Sequence, residues 1–428
     1  MNAQAPVAPT GTQGDPSAPR PLLDQPGATP ASGPPGVPAS PGTSPARFIA
    51  EGVPTDLPVA FSIGGKIAIR ARVFAAPMCG ASKLPYRRLA RRHGADIAYT
   101  EMVKAYPLVR DDRRTLELLA SRVDEAPCGP QICGGEPETM ARASQVLEGL
   151  GFPLVDINMG CPVRRVVNEG AGAALLKDPA KIEAVIRACV QAVKIPVTVK
   201  LRVGWDDKGF ADAATIVRAA EVGGASLITI HGRVRAHGHQ GAVDFDAIAA
   251  AKRAVSIPVV ANGGINTGQD AADMLSKTGC DGVMIGRGAY GKPWLFRDAA
   301  RAIAGLPALP PPPLEAVCDL MSEHLEGMVE LMGPVYGTRL YRKYASWYFR
   351  ELAWCAHFRD RAYRLSEADP MRELLSEWRQ HVVGCTAAAA AGERPPTPAF
   401  VLEDPAAAAL GPYHDRAGAQ GDDDEECS

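Results

Sequence analysis

Short apolar runs rich in β-branched residues recur along the middle of this chain, and a stretch with helical spacing follows each of them. The runs are 71–78, 96–102, 128–134, 154–160, 196–202, 227–233, 258–264 and 282–288. They are apolar almost throughout, as expected for parallel strands that are covered on both faces. Eight strand–helix units predict an α/β fold, a (β/α)8 TIM barrel. A doubly wound open sheet is the alternative, but no G-x-G-x-x-G turn follows the first run.

Composition divides the remainder of the chain into further segments. Residues 1–58 and 385–428 are rich in Pro, Gly, Ala and Ser or strongly acidic, and we expect both to be disordered because they bury little apolar surface. Residues 59–308 would hold the barrel, with FSIGGKIAIRA as a hairpin at its bottom. Amphipathic stretches after the proline run predict a small all-helical C-terminal domain over 314–384.

The overall composition indicates a globular protein and excludes few classes of function. The 428 residues include 46% hydrophobic and 22% charged residues, and the formal net charge is −2. No apolar run is long enough for a membrane helix, and the N-terminus does not resemble a signal peptide. We therefore expect a cytoplasmic protein with no membrane partner. The ten cysteines contain no C-x-x-C pair, which argues against a metal site.

Polar residues and glycines collect where the predicted strands end. In a (β/α)8 barrel these ends share one mouth, where active sites are built. The residues at these ends are Met78, Cys79, Gly80, Glu101, Gln131, Asn158, Cys161, Lys200, Arg202, His231, Gly232, Arg233, Asn262, Gly263, Gly264, Gly286 and Arg287. Each alone is compatible with a structural role, such as a rim lysine or a core histidine. Together they predict a ligand site.

The last two strand ends predict a phosphate site within that mouth. ANGG and IGRG follow the seventh and eighth strands, the usual phosphate-binding position in such barrels. Glycines let backbone amides approach phosphate oxygens, and Arg287 would add charge. Lys200 and His231 would then face the middle of the ligand, and Gln131 would bond its ring. A cation beside a flavin ring favours its reduced anion, so the set indicates an FMN site.

Six segments of the chain resemble the tRNA-dihydrouridine synthases, especially the bacterial B-type branch. They are APMCGASKLPYRRLARRHGADIAYTEM, DINMGCPVRRVVNEGAGAALLKDP, VTVKLRVGWD, ITIHGRVR, VVANGGI and VMIGRGAYGKPWLF. The resemblance is strong over 68–300 and weaker in the helical domain. It implies an enzyme that uses FMN to reduce uridine in tRNA, with NADPH as reductant.

The resemblance also implies roles for individual residues. Cys161, in NMGCP, matches the catalytic cysteine, and our hypothesis is that it protonates C5 of the uracil ring while the flavin delivers hydride to C6. The flavin contacts would be Pro77, Met78, Cys79, Gln131, Lys200, His231, Asn262, Gly263, Gly264, Gly286 and Arg287. Cys79 stands where the family usually has alanine, a change that is harmless if this position contributes mainly backbone.

Basic residues at the mouth and in the helical domain are candidate RNA contacts. They are Arg164, Arg165, Arg233, Arg235, Arg339, Arg342 and Lys343. Phosphate binding needs such cations, and aromatic neighbours in 341–347 favour RNA contact over a merely solvated helix face. The domain over 314–384 would therefore bind tRNA. The sequence leaves open which uridine is modified, the oligomeric state and the preference for NADPH over NADH.

Two other functions fit parts of the pattern. A small-molecule FMN barrel, such as a dihydroorotate or dihydropyrimidine dehydrogenase, would share the barrel and the phosphate site but would not need a basic helical domain. A non-catalytic RNA-binding module would keep the barrel and be colourless. Copurified tRNA discriminates against the first alternative, and an oxidised-flavin spectrum discriminates against the second.

Overall fold

The computed structural model of the chain describes residues 49–207, 209–350 and 352–398. A hairpin precedes a closed barrel of eight parallel strands in the order β10-β3-β4-β5-β6-β7-β8-β9, so the predicted (β/α)8 barrel is confirmed. The strands are β1 (Phe61–Ile63), β2 (Ile67–Ile69), β3 (Val73–Ala75), β4 (Ile97–Lys104), β5 (Cys128–Cys133), β6 (Val155–Asn158), β7 (Val197–Arg202), β8 (Leu227–His231), β9 (Val259–Asn262) and β10 (Gly282–Ile285).

Helices connect successive barrel strands on the outside. They are α1 (Leu84–Arg92), α2 (Ala105–Leu108), α3 (Arg113–Leu118), α4 (Pro137–Gly149), α5 (Arg164–Asn168), α6 (Pro179–Ala192), α7 (Ala213–Val222), α8 (Phe245–Arg253), α9 (Gly268–Thr278) and α10 (Leu295–Ile303). Local sequence sets several of their starts. Asp178, Asp212 and Asp244 each accept a hydrogen bond of 2.7–3.2 Å from a first-turn amide, which satisfies a donor that the helix itself leaves unpaired.

The β1–β2 hairpin closes the end of the barrel where the strands begin. Gly64 and Gly65 form its turn with φ of +54° and +67°, a conformation that favours glycine at both positions. Ile63 and Ile69 are fully buried and belong to the same apolar cluster as Ile97 and other residues of the barrel interior. Apolar side chains therefore fill the end of the barrel where the strands begin.

Four helices follow the barrel: α11 (Leu314–Met332), α12 (Pro334–Tyr348), α13 (Cys355–Arg364) and α14 (Ala368–Ala391). Their shared core includes Met321, Tyr341, Phe358 and Trp378. The predicted limit at residue 384 needs correction, since α14 continues to Ala391. Its last residues are TAAAAA, and alanine has the highest helix propensity.

The predicted N-terminal boundary also needs correction, because residues 49–58 pack on the barrel. The Ala50 amide donates to the Arg92 carbonyl at 3.1 Å, and Arg301 donates to the Gly52 carbonyl at 3.0 Å. Only the segments 1–48 and 399–428 of the two predicted tails lie outside the described residues.

The helical region joins the barrel on the side of the mouth. The Tyr344 hydroxyl on α12 donates to the Ala81 carbonyl, just after β3, at 2.8 Å. On α11, Glu323 binds Arg92 of α1 through two hydrogen bonds of 2.6 and 2.7 Å. Helix α12 therefore lies beside loops that shape the mouth.

The described ranges, 49–207, 209–350 and 352–398, lack two features. No helix there combines the length and apolar character needed to cross a membrane. Nor do three or more His, Cys, Asp or Glu side chains come together there as a possible metal site.

Candidate active site

A cavity of about 310 Å³ opens at the end of the barrel where the strands finish. Its lining includes every residue predicted as catalytic or cofactor-binding: Pro77, Met78, Cys79, Gln131, Cys161, Lys200, His231, Asn262, Gly263, Gly264, Gly286 and Arg287. The structure thus brings these positions together, whereas their individual roles stay predictions. The lining also includes Asn158 and Arg202, which were predicted only as strand-end residues, and Met102, His239 and Tyr290, which were not predicted.

Strand register explains why these side chains meet. Asn158 lies directly opposite Lys200 on the neighbouring strand, and Arg202 lies opposite His231. His231 in turn lies opposite Asn262. Parallel pairing therefore sets the polar ends of β6, β7, β8 and β9 side by side around the cavity.

A chain of hydrogen bonds links buried polar side chains of β5, β6 and β7. Gln131 Nε2 donates to Asp156 Oδ2 at 2.7 Å, and Asn158 Nδ2 donates to Gln131 Oε1 at 2.9 Å. The other oxygen of Asp156 accepts from Thr198 Oγ1 at 2.6 Å. Asp156 was not predicted as a site residue. Its signal was an acid inside the otherwise apolar run LVDIN.

Two cationic side chains from β7, beside a histidine from β8, give the cavity its positive character. Burial and the neighbouring Arg202 lower the pKa of Lys200 to about 8, so it stays mostly protonated at neutral pH. Arg202 is held in place by bonds to the Gly160 carbonyl at 2.7 Å and the Gly238 carbonyl at 2.6 Å. Burial and Lys200 push the pKa of His231 well below its ordinary value, so its ring is neutral.

Cys161 lies half-buried on the loop after β6. Its amide donates to Asn158 Oδ1 at 2.9 Å, and its carbonyl accepts from the Ala173 amide at 3.0 Å. Gly172 has φ of +56°, and a Cβ there would lie 3.2 Å from Cys161 Cβ. The glycine-rich segment after NMGCP therefore passes close behind the cysteine loop, and a larger residue at 172 would displace it.

The far side of the cavity is shaped by the loops after β9 and β10. Gly263 and Gly264 have φ of +118° and +72°, and a Cβ on Gly288 would lie only 2.0 Å from the Ile265 carbonyl oxygen. Arg287 and Arg233 both line this side. Burial first and then the charge of Arg287 lower the pKa of Arg233. Paired guanidinium groups beside glycine loops suit an anion such as phosphate.

The residues predicted to contact RNA are dispersed. Arg164 and Arg165 are exposed on α5, directly after the Cys161 loop, and Arg233 is a partly exposed residue of the cavity lining. Arg235 lies 4.4 Å from the Trp205 ring centroid. Lys177 lies 3.8 Å from the same ring, an arrangement that the sequence analysis did not anticipate.

The remaining three predicted RNA contacts lie on α12. Arg339 is exposed. Arg342 Nε donates to the Leu365 carbonyl, so this side chain also ties α12 to the segment that follows α13. Lys343 lies 5.7 Å from the ring centroid of Trp347.

Comparison with known proteins places this geometry in a family. Residues 74–382 match the dihydrouridine synthase (Dus) family, which covers both the barrel and most of the helical region. The chain belongs to the dihydrouridine synthase family.

Individual relatives agree with that assignment. A probable tRNA-dihydrouridine synthase of Rickettsia conorii (strain ATCC VR-613 / Malish 7) is 36% identical over 320 residues, covering 74% of this chain and 96% of the relative. The tRNA-dihydrouridine synthase B of Pseudomonas aeruginosa is 36% identical over 327 residues, which cover 76% of this chain and 98% of the relative. The tRNA-dihydrouridine synthase B of Xanthomonas axonopodis pv. citri is 38% identical over 314 residues, which cover 73% of this chain and 94% of the relative. The resemblance to the B-type branch is therefore confirmed.

The solved structures that resemble this chain are more distant than these relatives. A nitroalkane oxidase from Streptomyces ansochromogenes shares 19% identity over 51% of this chain and 66% of that chain, with a TM-score of 0.32. A likeness at that level carries no argument about this family member.

Proposed function

We propose that this protein reduces the C5–C6 double bond of uridines in tRNA to 5,6-dihydrouridine, with FMN as cofactor and NADPH as reductant. The observation that carries the proposal is the placement of Cys161 in one cavity with Lys200 and the glycine-rich loops after β9 and β10. Membership of the dihydrouridine synthase family supports the reaction type.

The residues of the cavity fit FMN. His231 Nδ1 is buried and has no hydrogen-bond partner within the described part of the chain, so a ligand atom could supply one. Lys200 lines the cavity and is mostly protonated at neutral pH, so it would provide a cation for an anionic ligand. Arg287, Arg233 and the Gly263–Gly264 backbone would hold the phosphate. Gln131, Lys200 and His231 would contact the ring system.

Each part of the site would then have a distinct task. When bound, reduced FMN supplies the hydride that adds to C6 of the uracil ring. The Cys161 thiol gives its proton to C5, since an ordinary thiol is mostly protonated at neutral pH. The protonated Lys200 and Arg202 favour negative charge in the cavity. The hydrogen bond from the Cys161 amide to Asn158 holds the thiol-bearing loop in position.

The RNA would reach this cavity by presenting a single base. A uridine stacked in a folded tRNA cannot enter a barrel mouth, so it must leave its stack. The exposed Arg164 and Arg165 lie next to the Cys161 loop and would bind the phosphates beside that base. Helix α12, with Arg339 and Lys343, would bind a more distant part of the tRNA.

The direct test is reconstitution with purified protein. We expect a yellow protein that oxidises NADPH and forms dihydrouridine in tRNA taken from cells that lack this gene. Mapping the new dihydrouridine identifies the modified position. A colourless protein that binds no FMN would contradict the proposal, as would reduction of free pyrimidines with no product in tRNA.

A further inference from the structure

Asp156 is a buried carboxylate that the proposed reaction does not use directly. It lies in β6 and is 1% exposed. Both of its oxygens accept hydrogen bonds from neutral donors, one from Thr198 at 2.6 Å and one from Gln131 at 2.7 Å. A buried carboxylate is costly unless it is well bonded, so a position that retains one invites a functional explanation.

The direction of these hydrogen bonds fixes the orientation of the Gln131 amide. Burial raises the pKa of Asp156 to about 6, which leaves the carboxylate ionised at neutral pH, and an ionised carboxylate can only accept. Gln131 must therefore turn its Nε2 toward Asp156 and its Oε1 toward Asn158. In the flipped orientation an amide oxygen would face the carboxylate, and two amide NH₂ groups would face each other.

The same chain continues to the cysteine loop. Because Asn158 donates its Nδ2 to Gln131, its Oδ1 faces the other way. That oxygen accepts from the backbone amides of Gly160 at 3.1 Å and Cys161 at 2.9 Å. Asn158 thus connects the Gln131 amide to the loop that carries the thiol.

We infer that Asp156 is a positioning residue, which through Gln131 and Asn158 sets both the donor offered to the ligand and the placement of the Cys161 loop. One Nε2 hydrogen of Gln131 is used by Asp156, and its Oε1 is used by Asn158. Gln131 therefore keeps a single N–H for a ligand and recognises an acceptor atom. The ligand-binding half of the inference rests on the proposed use of FMN, whereas the hold on the Cys161 loop requires no cofactor.

The substitution Asp156→Asn tests this with little change in shape, since an amide at 156 tolerates either orientation of Gln131. We expect the affinity of the apoprotein for FMN, measured by fluorescence titration, to fall about tenfold. We also expect iodoacetamide to alkylate Cys161 about threefold faster in the apoprotein, because the loop is released. Peptide mass spectrometry follows Cys161 against Cys355, a half-buried cysteine on α13.

A matched control distinguishes a loss of positioning by Asp156 from the general effect of removing any buried carboxylate. Asp96 precedes β4 at the opposite end of the barrel and accepts from the amides of Arg70, Ala71 and Val73 at 3.1–3.3 Å. Asp96→Asn should lower the Tm without changing the affinity for FMN or the rate at which iodoacetamide alkylates Cys161.

If folded Asp156→Asn protein kept the wild-type affinity for FMN or the wild-type alkylation rate of Cys161, the inference would be overturned. Where that variant does not fold, Thr198→Val removes one bond to the carboxylate and no charge, and about threefold changes in the same directions are expected. Unchanged values in that variant would overturn it equally. A wild-type protein that binds no FMN would instead contradict the proposed function, and the alkylation rate would still decide the role of Asp156.

Discussion

Tyr290, in the loop after β10, stacks on Trp347 of α12 with ring centroids 3.6 Å apart and ring planes 5° apart. Tyr290 also lines the cavity, so the helix proposed to bind RNA contacts a cavity-lining residue directly. The same helix reaches the loop after β3 through the bond from Tyr344 to Ala81. Two of the cavity-lining loops are therefore supported by the helical region.

We expect Trp347→Ala to weaken this support. Aromatic pairs contribute about 0.5–1.5 kcal/mol beyond the area they bury, so the Tm should fall modestly. The KM for tRNA should rise several-fold while FMN stays bound, because the stack positions α12 rather than the cofactor. Tyr336→Ala, at an exposed residue of the same helix, is the control. A KM equal to that of the control would show that the stack is only a structural contact.

Lys200 predicts a pH dependence of FMN binding. Its pKa of about 8 in the free protein means that the cation is present below pH 8 and is lost as the pH rises through that value. FMN affinity should therefore decline between pH 7 and 9, a range in which a phosphate monoester (second pKa about 6) keeps a constant charge. In Lys200→Met the affinity should be lower at pH 7 and constant over this range. A pH-dependent decline that persists in the variant would exclude Lys200 as its cause.

Charge reversal on α12 tests the proposed RNA surface. Because Arg342 also bonds the Leu365 carbonyl, Arg339→Glu combined with Lys343→Glu is the cleaner variant. We expect weaker tRNA binding, and a salt dependence of binding that is shallower by the equivalent of about two phosphate contacts. The rate of NADPH oxidation in the absence of tRNA should be unchanged. Lys66→Glu, in the hairpin turn at the closed end of the barrel, should leave binding unaffected. Equal tRNA affinities for both variants would show that the α12 face is merely solvated.

The ion pair between Arg87 and Glu125 predicts a stability effect away from the site. The two side chains are 1% and 0% exposed and lie 2.8 Å apart. Removing one partner leaves a buried charge uncompensated, so Glu125→Ala should lower the free energy of unfolding by about 3–5 kcal/mol. Urea denaturation measures this change. A loss below 1 kcal/mol would mean that solvent reaches Arg87 in the variant.

The barrel was predictable because buried parallel strands leave near-continuous apolar runs, and the residue after each run marks the mouth. The grouping of Cys161, Lys200 and His231 followed from that rule. Asp156 was not predictable in this way, because its role depends on hydrogen bonds to Gln131 and Thr198, which lie on neighbouring strands and are distant in sequence. The Tyr290–Trp347 stack joins residues far apart in sequence, and no local pattern marks such a pair. The end of α14 was missed because a polyalanine stretch was interpreted as low-complexity tail rather than helix.

In the proposed reaction Cys161 donates the proton that completes uridine reduction. General acids typically contribute about a hundred- to ten-thousand-fold to rate. The measurement is single-turnover formation of dihydrouridine in tRNA by Cys161→Ala protein whose bound flavin has first been reduced by NADPH. We expect normal FMN content and normal flavin reduction, with dihydrouridine formation slowed at least about a hundredfold. Formation at a rate near that of the wild type would contradict it and assign the proton to another donor.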